Sequence, residues 1–178
     1  MRDSAGPAHY SMVARVLHWS VVALIVIQFA IAWTMPDIHG GMRPVGLIGW
    51  HLSFGTAILA VMLVRLVWRL SHREPVAPET ISAPLRRISR GTHALLYALL
   101  VALPLLGWAN ASARGWPVRL FGAIPLPPLS ATGSPLGLWL GDVHGTVAIV
   151  LLAVIALHVA GALYHLLILR DRTVQRML

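Results

Sequence analysis

One stretch decides what this chain can become. From Val143 to Leu169 it reads VHGTVAIVLLAVIALHVAGALYHLLIL, 27 residues without a single Asp, Glu, Lys or Arg. At about 1.5 Å per residue, a helix of this length reaches roughly 40 Å, more than the ~30 Å hydrocarbon core of a bilayer. The run predicts a transmembrane helix. It also carries His144, His158 and His165. An imidazole is costly in hydrocarbon, so each of the three is a functional candidate. His144 and His158 stand 14 residues apart. At about 100° per residue they fall within roughly 40° of one face, about 21 Å apart along it. A helix of this kind can serve two stacked metal or haem sites.

Three more uncharged runs precede it: Val16 to Met35, Pro44 to Val64 and Gly91 to Ala113. With their flanks they predict transmembrane helices at about 13–35, 45–70, 90–112 and 142–169, within one domain covering 1–178. The first run has features of a signal peptide, with Ala30-Ile31-Ala32 as a small-residue site. Its roughly 20 apolar residues exceed a signal core, and it carries His18, so we read it as retained. Ser71 to Arg90, with Pro75, Pro78 and Pro84, reads as a loop ending in a basic interfacial turn at Arg86, Arg87 and Arg90. Pro104 and Gly107 predict a kink in the third helix. Arg114 to Asp142 is too rich in proline and glycine for a span, and reads as an ordered loop over one end of the bundle.

Only 11% of the residues are charged, far below the roughly 25% of soluble domains. The chain has no cysteine. That excludes disulfides, zinc–thiolate sites, iron–sulfur clusters and covalent haem attachment. A net charge of +8 raises the question of nucleic acid. The basic residues flank apolar runs and form no separate polar domain, so no nucleic-acid partner is expected. All fourteen are arginines, and alternate loops divide them eleven to three. The minority is Arg43, Arg114 and Arg119. The positive-inside rule then places both termini and the 71–90 loop in the cytoplasm. Four helices running up, down, up and down predict an all-α integral membrane protein, an antiparallel bundle with cofactors in its core.

Topology sorts the histidines by depth. His51 and His144 lie near the outer ends of their helices. His18, His158, His93 and His165 lie toward the inner side. His9, His39 and His72 fall outside the spans. An outer pair, His51 with His144, could clamp one metal. An inner pair, His18 with His158, His165 or His93, could clamp another. Two neutral imidazoles per iron is the ligand set of low-spin b-type haem, which needs no cysteine. Gly55, Gly145, Ala160 and Gly161 leave room beside these histidines for a flat macrocycle. Structural zinc wants four ligands and non-haem iron wants carboxylates; neither set lies at one depth. Distance from Arg15 matches His18 better to His165, whereas His158 keeps the two sites about 20 Å apart.

At these residues the chain resembles the bacterial cytochrome b561 family, the four-helix di-haem type. The resemblance covers nearly the whole chain. It is carried by Arg15-x-x-His18-Trp19, Arg43-Pro44 leading to His51 with Gly55, Val64-Arg65-Leu66 with Arg69-Leu70, and His93 with Ala102-Leu103-Pro104 and Gly107. It continues through Arg114-Gly115, His144, His158, His165 and the tail Asp171-x-Thr173-x-x-Arg176-Met177. The proline-rich loop before His144 departs from the family pattern. The chain looks most like the superoxide oxidase branch.

The resemblance implies two haem b groups, held by His18 and His158 inside and by His51 and His144 outside. It implies a multi-pass protein of the bacterial inner membrane that oxidises superoxide to O₂ on the periplasmic side and passes the electrons to ubiquinone. Arg43, Arg114 and Arg119 are then candidates for steering the anion. His93 and His165 are candidates for the quinone site, since histidine titrates near neutral pH. The alternative is a b-type electron-transfer subunit linking a periplasmic dehydrogenase or hydrogenase to the quinone pool. It would dock its periplasmic redox partner on the 114–142 loop.

Overall fold

The structure is a computed structural model and describes residues 10–72 and 82–178. The expectations for His9, Arg2, Arg73, Pro75 and Pro78 lie outside the described residues.

Four long helices form the body: α1 (Met12–Thr34), α2 (Leu47–Ser71), α3 (Ala83–Ala113) and α4 (Pro135–Tyr164). All four are long and apolar enough to cross a membrane. The Ser11 hydroxyl caps α1 by accepting the Ala14 N–H at 3.2 Å, satisfying one of the orphan donors of a first turn. Much of the apolar surface points outward: Ile149 is 72% and Val67 65% exposed. For a membrane span, lipid is the solvent of such a face. Trp33, Trp50 and Trp139 are exposed at the end of the bundle opposite the termini, where indole rings suit the headgroup level.

Two boundaries differ from the sequence reading. Helix α3 starts at Ala83, not near residue 90, so Arg86, Arg87 and Arg90 ride on a helix instead of a turn. Pro84 in the first turn explains this, because a proline there gives up only an N–H that has no intrahelical partner. Helix α4 starts at Pro135, not near residue 142. Ser134 is its N-cap, accepting the Gly137 N–H at 3.2 Å. The Ser-Pro start was hidden in a stretch whose prolines and glycines read as loop. Helix α3 runs unbroken through Pro104.

The α3–α4 connection lies over the end of the bundle opposite the termini. Its two-stranded hairpin pairs β1 (Arg119–Leu120) with β2 (Ile124–Pro125). Cross-links tie it down. The Thr56 hydroxyl donates to Arg119 O at 3.1 Å, Trp116 Nε1 to Met42 O at 2.9 Å, and the Ser130 hydroxyl to Ala109 O at 2.7 Å. After α4 the backbone widens into a π-helical turn, His165–Leu169. The tail then returns to the start of α1: Trp19 Nε1 donates to Met177 O at 3.0 Å and Tyr10 N to Arg176 O at 3.2 Å. The two ends of the described chain thus lie at the same end of the bundle.

Close packing joins α1 to α2, α2 to α3 and α3 to α4. The backbone of α4 does not pack closely on α1 or α2. At mid-height a dry cluster of Val21, Ile58, Met62, Leu100 and Leu151 fills the centre. Leu151 is seven residues from both His144 and His158, about 10 Å along the helix from each. The core therefore separates two levels at which the helices stand apart.

Candidate functional site

Above the core, His51 of α2 faces His144 of α4, with ring centroids 6.0 Å apart and planes at 76°. Below it, His18 of α1 faces His158 of α4, 6.5 Å apart at 68°. Two metal–nitrogen bonds of about 2 Å plus the near halves of two five-membered rings add up to about 6 Å. Each pair spans one of the loosely packed helix gaps. His18 therefore meets His158, not His165.

The His144 ring has one orientation fixed by its surroundings. Its Nδ1–H donates to Leu103 O at 2.9 Å. That tautomer leaves Nε2 unprotonated, the form that ligates a metal, and a carbonyl on the remote nitrogen is the usual support of a ligand imidazole. Gly107 permits the approach, since it lies one turn beyond Leu103 and has no side chain to cover that carbonyl. The Nδ1 atoms of His18 and His51 are buried without a hydrogen-bond partner. Such atoms cost free energy where they stand.

A cavity of about 430 Å³ opens at the outer pair. It is lined by His51, His144, Gly55, Gly107, Gly145 and, toward the surface, Arg114. A Cβ on Gly145 would meet nothing within 4 Å. Two polar atoms on this lining are also buried and unpartnered, Gln28 Oε1 and Trp108 Nε1. The Gln28 Nε2 donates to His51 O at 3.1 Å. A largely apolar chamber with two opposed imidazoles suits a planar macrocycle that both rings would hold. Among the described residues no group of three or more His, Cys, Asp or Glu could hold a bare metal ion.

The remaining candidates fall as follows. His93 stands beside the inner pair, its ring 5.1 Å from that of His158. Its Nδ1–H donates to Ser89 O at 2.7 Å, leaving Nε2 free. His165 lies apart from the facing pairs, and its Nδ1 bonds Asp171 Oδ2 at 2.6 Å. Arg43 and Arg119 are exposed at the end of the bundle opposite the termini. Arg114 is half-buried, held by Asn110 Oδ1 at 3.0 Å and lying 5.5 Å from the centroid of the Trp116 ring. His39 and His72 stay outside this architecture, with His72 stacked on Trp68 at 3.7 Å.

Sequence reasoning passed over Gln28, Trp108 and the Leu103 carbonyl. A glutamine inside an uncharged span was the one available signal. Which carbonyl an imidazole reaches depends on helix packing, which no local pattern encodes.

With this geometry in hand, the comparisons with known proteins are specific. The family model for prokaryotic cytochrome b561 matches residues 9–178. The chain is 31% identical over 173 residues to a Yersinia pestis protein named probable superoxide oxidase CybB, covering 95% of each. It is 26% identical over 179 residues to cytochrome b561 homolog 2 of Escherichia coli (strain K12), covering 97% of this chain and 92% of that one. It is 24% identical over 177 residues to cytochrome b562 of Cereibacter sphaeroides, covering 95% and 94%. The chain belongs to the prokaryotic cytochrome b561 family, a family of haem b membrane proteins of electron transport.

Proposed function

From that membership as premise, we propose that this protein oxidises superoxide to O₂ at the periplasmic face and reduces ubiquinone, using two haem b groups. The net reaction is two superoxide, one quinone and two protons giving two O₂ and one quinol. His51 and His144 would hold the outer haem, and His18 and His158 the inner one. The observation that carries this reading is the pair of facing imidazole pairs, 6.0 and 6.5 Å apart, on either side of one dry core. Haem supplies one-electron chemistry at iron, and two such groups at two depths suit electron transfer across a bilayer.

The chain's own residues account for the rest. Arg114 sits at the mouth of the cavity that reaches the outer histidines, where its charge raises the local concentration of an anion. Arg43 and Arg119 add to the field from the same end. The buried apolar cluster keeps water and protons out of the space between the levels. His93, with Nδ1–H tied to Ser89 O, presents Nε2 as a proton donor or acceptor for a quinone approaching from the bilayer. His165, oriented by Asp171, is the second candidate for that role. The arginine distribution supports both termini in the cytoplasm.

Purified protein mixed with superoxide and a soluble ubiquinone tests the proposal. Quinol should form faster than spontaneous dismutation allows, with two b haems per chain by reduced-minus-oxidised spectroscopy. Quinol formation no faster than dismutation removes the oxidase reading. The relatives named simply as cytochromes favour a second reading, an electron-transfer subunit that serves a periplasmic dehydrogenase. That reading predicts no activity in isolation and a docking surface on residues 115–134.

A further inference from the structure

Arg65 and Arg69 of α2 bracket one aromatic ring. Their guanidinium carbons lie 5.4 and 5.0 Å from the centroid of Tyr97 on α3. Both side chains are half-buried and line a small inner pocket of about 50 Å³ with Tyr10, Trp68, His72 and Met177. Arg65 is 14 residues beyond His51, the same interval that separates His144 from His158 on α4. Four helical turns later, α2 therefore presents Arg65 on nearly the His51 face, about 21 Å further in. This is the level of the inner pair. A cation at that level, partly out of water, needs a counter-charge. Among the described residues the acids are Asp37 and Asp142 at the outer end and Asp171, which is engaged by His165 and Thr173. Among the described residues no acidic side chain forms an ion pair with Arg65, and the Leu178 backbone oxygen accepts from Arg15.

We propose that Arg65, supported by Arg69, forms the anion subsite of the inner centre and receives a carboxylate from the rim of the inner haem. The assignment rests on the di-haem reading above. It gives the propionate-binding role to two half-buried arginines and not to the exposed Arg86, Arg87 and Arg90. The planar guanidinium fork fits a carboxylate with two parallel hydrogen bonds. The Tyr97 ring holds both stems in place through its π face. A phosphate from a lipid headgroup would use the same chemistry, and the experiment separates the two.

The test uses the purified holoprotein and three variants, R65Q, R65K and R69Q. Redox titration resolves the two haem potentials, and transfer to apomyoglobin resolves the two release rates. In R65Q one potential falls, because an unneutralised carboxylate favours the oxidised iron, and the other stays put. Release of that same haem quickens by roughly tenfold or more, the loss expected for a charge-assisted hydrogen bond. R69Q shows the same change in smaller degree. R65K keeps the charge but not the fork, so its potential stays close to wild type while release is faster. This variant decides the matter should R65Q not accumulate, and a wild-type release rate in it overturns the assignment. Two haems with unchanged potentials and release rates in R65Q overturn it as well, and point to lipid phosphate as the occupant. Equal shifts of both haems remove the claim that Arg65 serves the inner centre. Wild-type protein without haem removes the di-haem reading itself, an outcome distinct from all of these.

Discussion

The imidazole of His144 occupies the space that a side chain at Gly107 would need. A Cβ there would lie 3.0 Å from His144 Cε1 and 3.1 Å from its Nδ1. The contact is a consequence of the Leu103 hydrogen bond, since a ring that reaches this carbonyl must lie against the next turn of α3. A methyl group would push the ring off the carbonyl and release its tautomer. Gly107→Ala should therefore lose the outer haem, or bind it with an altered low-spin signal, while keeping the inner one. Gly91→Ala, on the same helix, is the control, because a Cβ there meets nothing within 4 Å. Haem counts by pyridine haemochrome and the low-spin signals of both variants check this, and equal counts with unchanged signals would show that the close approach has no role.

The four axial candidates make a sharper prediction in combination. His51→Ala and His144→Ala should each reduce two haems to one, and the spectra of the two variants should match. His18→Ala and His158→Ala should leave the complementary spectrum. His93→Ala should retain both haems although its ring is the nearest neighbour of His158. Its expected defect is in quinol formation, slowed by roughly 100-fold, as for loss of a general acid–base group. Loss of a haem in His93→Ala would instead make it the inner ligand.

Legibility followed length scale. The spans were readable because a bilayer demands about 20 apolar residues and tolerates little else. Helices α1 and α2 accordingly begin and end within two residues of expectation. The starts of α3 and α4 were not readable, since Pro84 and Pro135 occupy first-turn positions where proline promotes a helix. In composition they look like loop residues. Periodicity placed His144 and His158 on one face, but the partner of His18 stayed open between His158, His165 and His93. Counting from the nearest arginine misjudged depth, because Arg15 reaches past its own helix to the backbone of Leu178. The Arg65–Tyr97–Arg69 cluster and the Gly107–His144 contact join different helices, and no single-chain pattern reports such contacts.

Arg114 should matter more than Arg43 for an anionic substrate, although each carries one charge. Arg114 lines the cavity and is braced by Asn110, whose Nδ2 also donates to Gly137 O at 3.1 Å and Leu138 O at 3.0 Å. Arg43 is exposed to solvent. Arg114→Gln should slow superoxide-driven quinol formation several-fold at low ionic strength, and Arg43→Gln much less. Both should converge on wild type as salt rises, because screening removes attraction beyond about 10 Å at 0.1 M salt. Stopped-flow rates across a salt series measure the effect. A salt-independent deficit in Arg114→Gln would assign it a structural role instead.

The tail offers a prediction in pH. Burial tends to raise the Asp171 carboxyl, but Thr173 and His165 outweigh it and hold the group below the usual carboxylate range. The Thr173 N–H donates to Oδ1 at 3.0 Å with its hydroxyl close by, and His165 Nδ1 stands 2.6 Å from Oδ2. A carboxyl depressed in the folded state binds protons more readily when unfolded. Its contribution is therefore fully present above the unfolded value and fades as pH falls through the folded one. Asp171→Asn should cost about 1.5 kcal/mol near neutral pH, the worth of a hydrogen bond to a charged group, and lower Tm by roughly 3–6 °C. The gap between variant and wild type should close below the normal carboxylate range. The His165–Asp171 bond secures the turn from which the tail returns to Tyr10 and Trp19, so protease cleavage of residues 170–178 should accelerate in the variant at pH 7. Thermal melts from pH 7 to pH 3 measure the first effect, and a constant Tm difference across that range would show that the Asp171 charge contributes nothing.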